Sequence, residues 1–201
     1  MPRPPRMQAP GAVYHVITRG VRQLDIYTDV RDRLRFLQLL GQVVQLREWR
    51  CHTYCLMTNH YHLLIETPHG DISLGMQRLN GMYAQWFNWR HGHEGHLFDR
   101  RFGAVLVEGY AHLLELARYI VLNPVRAGLC RHAAEWRWSS YPAMVGSCDR
   151  PSFLTTAWIL SLFSDPERRA QELYAEFVAA GAEAGVRSRR VLGSGTGTRP
   201  S

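Results

Sequence analysis

His60, Tyr61 and His62 stand in residues 50–66, RCHTYCLMTNHYHLLIE, which read as two short strands about a Thr58-Asn59 turn. Side chains two apart on a strand share a face, so His60 and His62 stand side by side while Tyr61, Leu63 and Ile65 point into a core. Two neighbouring imidazoles on a rigid strand are preset ligands for a divalent metal, and they fit equally the plainer alternative of polar side chains on a wet face. Further along, Tyr119 and Asn123 fall four apart on a predicted helix, one turn apart on one side. Tyr119 offers a phenol as nucleophile and Asn123 an amide oxygen as a hard ligand. With that helix laid over the two histidines, the group suits metal-assisted transfer of a phosphodiester to tyrosine. The same spacing also describes a half-buried aromatic followed by an ordinary asparagine at a helix C-terminus.

The elements that must bring these residues together follow from hydrophobic period and turn chemistry. Residues 12–18 (AVYHVIT) are strand-like, and Asp29 caps a helix over 30–49 with Leu34, Leu37, Leu40 and Val44 at helical spacing. After the histidine hairpin, Asp71 or Ser73 opens a second helix to Arg90, with Leu74, Leu79, Tyr83 and Phe87 on its apolar side. Residues 101–107 (RFGAVLV) form a further strand, and 110–123 a third helix that Pro124 stops. The order βαββαβ followed by a helix predicts an α+β fold: a ferredoxin-like split βαβ antiparallel sheet with helices on one face and a C-terminal helical extension. We divide the chain into a flexible basic arm (1–10), a main domain (11–146), the helical extension (147–181) and a disordered tail (182–201).

Composition narrows the partners. The formal charge is +7 with no lysine, and the first 150 residues hold 18 arginines against 12 carboxylates, so nearly all the excess lies there. Guanidinium groups hold phosphates bidentately and stack on bases, which points to a nucleic acid. No apolar run is long enough to cross a membrane and no signal peptide is evident, so a cytoplasmic protein with no membrane partner is expected. Cys51, Cys55, Cys130 and Cys148 are irregularly spaced and make no disulfide framework; Cys51 and Cys55 are expected on one strand face as small buried residues.

Four stretches, YHVITRG (14–20), CLMTNHYHLLIETP (55–68), ARYIVLNPVRAGL (117–129) and WRWSSY (136–141), together resemble the REP-associated tyrosine transposases. These are relatives, within the HUH endonuclease superfamily, of the transposases that move single-stranded insertion elements. The resemblance spans residues 11–146 in order and spacing, and Tyr61 takes a position that is large and apolar in that pattern. It implies a metal-dependent single-stranded DNA endonuclease and strand transferase that acts beside palindromic hairpins through a 5′-phosphotyrosine. The metal histidines of the family fall on His60 and His62, its third metal-side residue on Asn123 and its nucleophile on Tyr119. Mg2+ or Mn2+ is the implied cofactor, and a monomer is favoured over a dimer.

DNA contacts are expected from Arg100, Arg101, Arg118 and Arg126, with Arg3 and Arg6 reaching from the arm. Trp136, Trp138 and Tyr141 are assigned to packing rather than base stacking, and His15 to a satisfied strand position. His91, His93 and His96 mimic a second metal cluster but occupy a loop that varies in the family, so they are set aside. The competing class is a non-catalytic nucleic-acid-binding sheet of the same architecture, which would show no nicking and no covalent adduct.

Overall fold

A strand that carries apolar residues on both faces needs cover on both, and that requirement arranges this molecule. The computed structural model describes residues 8–193, with side chains described to Ala182. Strand β1 (Ala12–Arg19), the hairpin β2 (Arg50–Leu56) and β3 (His60–Thr67), and the short β4 (Gly103–Leu106) form one antiparallel sheet in the order β2-β3-β1-β4. Helices α1 (Val30–Leu46) and α2 (Ile72–His91) cover one face, where Tyr61, Leu63 and Ile65 meet Phe36, Leu39, Leu40, Leu79 and Tyr83. The third helix, α3 (Gly109–Arg126), takes the other face with Leu64 and Cys55, backed by α5 (Ala157–Ser161) and α6 (Glu167–Gly193). A single turn, α4 (Tyr141–Met144), lies between α3 and α5. The expected ferredoxin-like α+β order therefore stands, with the sheet covered on its second face by α3 and the extension.

Local chemistry sets the ends of these elements. Asp29 caps α1 as expected, its carboxylate accepting from the Asp32 backbone N–H. Asp71 sits at the start of α2 without capping it; Oδ1 accepts instead from the indole Nε1 of Trp49 at 2.7 Å. The apolar stripes are turned slightly from the expected phase, so that Leu34 and Leu74 face solvent.

Two expectations need correction. Helix α3 does not stop at Pro124 but runs through it to Arg126. Proline leaves the carbonyl four residues back without its donor, and the Asn123 side-chain amide donates to Tyr119 O at 2.9 Å and to Ile120 O at 3.5 Å. The helix ends one turn later: Gly128 at φ 73° and Leu129 donate to Val125 O and Pro124 O, a Schellman closure. Cys51 and Cys55 are not on one face, because the register shifts between Cys51 and Thr53; Cys51 joins the core under α1, and Cys55 the core under α3. Helix α6 is described to Gly193, past residue 182, where the tail is expected to begin. Residues 194–201, like residues 1–7 of the expected arm, lie outside the described residues.

The aromatic segment serves packing. Trp136 donates Nε1–H to Leu56 O, and the backbones of Trp138 and Ser140 bond Leu56 and Tyr54, covering the edge of β2.

Gly75 shows how tightly α2 is seated, since a Cβ there would lie 2.1 Å from the Trp49 ring. Alanine normally favours a helix over glycine by about 1 kcal/mol. Overpacking of this kind costs about 1–3 kcal/mol, so the clash should win. Gly75→Ala is expected to lower the urea midpoint, and an unchanged or raised midpoint would refute the close approach.

Candidate active site

The two-residue period of β3 puts His60 and His62 on the α3 face, opposite Tyr61, whose fully buried ring packs 4.6 Å from that of Phe36. The Tyr61 hydroxyl donates to Asn80 Oδ1, so the departure from an apolar residue at this position is satisfied within the core. His60 and His62 meet edge to face with ring centroids 5.0 Å apart. Strand β1 contributes a third imidazole. His15 pairs with Leu64 and His62 with Ile17, which sets His15 and His62 on the diagonal of one antiparallel pair. Their rings stack at 5.2 Å with planes 18° apart, and His15 Nε2 lies 2.9 Å from His62 Nδ1.

The nitrogen atoms of these rings are held in distinct ways. Asn59 donates Nδ2–H to Gln23 O, which turns its Oδ1 toward His60 Nδ1 at 2.7 Å. An amide oxygen only accepts, so His60 carries its proton on Nδ1 and a lone pair on Nε2. His62 Nε2 is buried and has no hydrogen-bond partner. Burial, with repulsion from His112, lowers the His15 pKa from 6.5 to about 4, and burial with Arg19 does the same at His60. His62 is pushed lower still by burial, then by His15, His60 and Arg19. All three rings are therefore neutral at pH 7, as a metal ligand must be.

Helix α3 delivers the phenol. Tyr119 is half-buried, its ring edge-on to His62 at 5.8 Å and to His15 at 6.0 Å between centroids, in the same chain. The guanidinium of Arg126, two turns on, lies 4.8 Å over the centre of the Tyr119 ring. Asn123 holds its place one turn from Tyr119 through the amide bonds to its own helix described above, and among the described interactions none joins it to either imidazole.

The remaining predicted residues divide. Arg100 and Arg101 are exposed and border a hollow of about 460 Å³ with Arg19 at the rim of β1 and β4, on the side of His60, which pairs with Arg19. Arg118 is used internally: it makes two bonds to Glu115 of 2.6 and 2.7 Å, and its guanidinium lies 4.3 Å over Phe177 of α6. Arg3 and Arg6 lie outside the described residues. His91 bonds the buried Asp32 at 3.0 Å and His93 stacks on Phe87, so both tie α2 to its surroundings. Among the described residues, no group of three or more His, Cys, Asp or Glu is arranged to hold a metal. A metal at His60 and His62 would thus need a ligand from outside those residue types, and the neutral donor set with its orphaned His62 Nε2 fits that requirement. Sequence reasoning underrated His15 and took Asn59 only as a turn residue; the odd-numbered face of β1 was the signal available for His15.

No curated protein sequence matches the chain significantly. Among solved structures, a REP-associated tyrosine transposase bound to a REP hairpin aligns with TM-score 0.62 and 18% identity, over 77% of this chain and 92% of that one. A transposase-like protein from Deinococcus radiodurans R1 aligns with TM-score 0.41 and 19% identity, over 60% of this chain and 94% of that one. The family described as IS200-like transposase matches residues 9–123, more than half of the sequence and the span from β1 to Asn123. The chain belongs to the IS200-like transposase family, and its fold is like that of a REP-associated tyrosine transposase.

Proposed function

We propose that this protein cleaves and rejoins single-stranded DNA at or near palindromic hairpins, with Tyr119 as nucleophile. The observation that carries the reading is the approach of Tyr119 to His62 within one chain, ring edge to ring face at 5.8 Å. His60 Nε2 and His62 Nε2 would hold Mg2+ or Mn2+, with Asn123 Oδ1 as the third protein ligand. Such an ion supplies Lewis-acid polarisation of the scissile phosphate when bound.

The rest of the chemistry belongs to the chain. The Tyr119 oxygen attacks phosphorus in line; the new O–P bond forms as the P–O3′ bond breaks, leaving a 5′-phosphotyrosine and a 3′-OH. The phenol gives up its proton and the departing 3′ oxygen takes one. An incoming 3′-OH reverses the step and joins strands. Arg126 steadies the ring through the contact of its guanidinium with the ring face and would bring positive charge to a phosphate attacked there. Arg19, Arg100 and Arg101 line an approach for the DNA backbone. The hairpin in the relative of similar fold supports the choice of substrate.

Incubation with a labelled hairpin oligonucleotide and Mn2+ should give a covalent protein–DNA adduct on a denaturing gel. Tyr119→Phe is expected to abolish the adduct while leaving hairpin affinity within a few-fold; an adduct that persists refutes the assignment. Arg126→Gln should slow adduct formation by about fivefold, in line with the ~1 kcal/mol of a cation–π contact, in single-turnover rates at saturating DNA. The lowered histidine pKa values carry a linkage consequence. Below pH 6.5 the unfolded chain takes up protons that the folded site refuses until about pH 4. Stability of the metal-free protein is therefore greatest above pH 6.5 and falls toward pH 4, and His62→Phe should flatten that fall in urea titrations.

A further inference from the structure

The Nε2 atom of His62 is buried without a hydrogen-bond partner, while its Nδ1 faces His15 Nε2 at 2.9 Å. One hydrogen joins the two rings, and its owner decides what His62 can bind. If His15 donates, His62 accepts at Nδ1 and carries its own proton on Nε2, where a buried N–H points at nothing and no cation can be held. If His62 donates from Nδ1, its Nε2 is left with a lone pair aimed into the site. The second arrangement matches His60, whose Nδ1–H is tied to Asn59 and whose Nε2 is the open atom.

We propose that His15 is a positioning residue that accepts the Nδ1–H of His62, fixing both the tautomer and the plane of that ring so that Nε2 is presented as a ligand. The inference rests on the proposed metal site and adds the residue that prepares it. The stacking of the two rings at 5.2 Å and 18° gives His15 a second hold on the orientation, beyond the hydrogen bond. Its place on β1, diagonal to His62 across an antiparallel pair, makes that hold part of the sheet rather than of a loop. Partners of this kind typically contribute 10–100-fold to metal affinity.

Imidazole nitrogen shifts of the metal-free protein read the tautomer directly. The native protein should show His62 protonated on Nδ1 and bare on Nε2; protonation on Nε2 overturns the proposal. His15→Phe keeps an aromatic ring but removes the acceptor, and should mix the His62 tautomers and weaken Mn2+ binding by about 10–100-fold in calorimetry. His15→Gln, whose amide oxygen can accept, should stay within a few-fold of native. Hairpin binding in EDTA and the circular dichroism of each variant establish that it is folded. A folded His15→Phe protein with native Mn2+ affinity sinks the role of His15 and leaves the metal site standing, as does a His15→Gln protein as weak as His15→Phe. Native protein that takes up no Mn2+ removes the metal reading, and the nitrogen shifts then still decide whether His15 sets the His62 ring.

Discussion

The constraint on which this molecule depends is the two-residue alternation of a strand that is covered on both sides. In β3, Tyr61, Leu63 and Ile65 anchor one core, and that anchoring leaves His60, His62 and Leu64 no freedom but to face α3. A slip of one residue would bury the imidazoles among the side chains of α1 and α2 and turn tyrosine and leucine toward Tyr119. The apolar packing that stabilises the sheet is therefore the same packing that aims the polar site. Leu64, fully buried between the histidines and the second core, ties the two roles together at one position.

The opposite wall is held as firmly. Helix α3 is seated by Leu113, Ala117, Ile120 and Val121 against the sheet and by the Arg118–Phe177 contact against α6. Its last turn runs on through a proline, with the Asn123 amide turned back onto the carbonyls of Tyr119 and Ile120. The Nδ2 of Asn123 is thereby engaged by its own helix.

Most of this was legible because hydrophobic period and turn chemistry are local signals. The alternation HYHLLIE placed the histidines, and the capping asparate at 29 opened α1 where expected. What escaped is non-local or compensated. Pro124 breaks a helix by propensity, yet the helix runs through it to Arg126. The thiols of Cys51 and Cys55 share a face by counting, until an extra residue near His52 shifts the register. Arg118 resembles any surface cation in sequence; its ring partner, Phe177, lies in a segment read only as helix. The ring that meets His62 comes from a strand far away along the chain, and a diagonal contact leaves no trace in spacing.

One property follows from the fact that the imidazoles and the phenol come from a single chain. The three imidazoles and the phenol meet without a second copy, so, were the reaction proposed above to run on this group alone, a defective copy would dilute its neighbours without poisoning them.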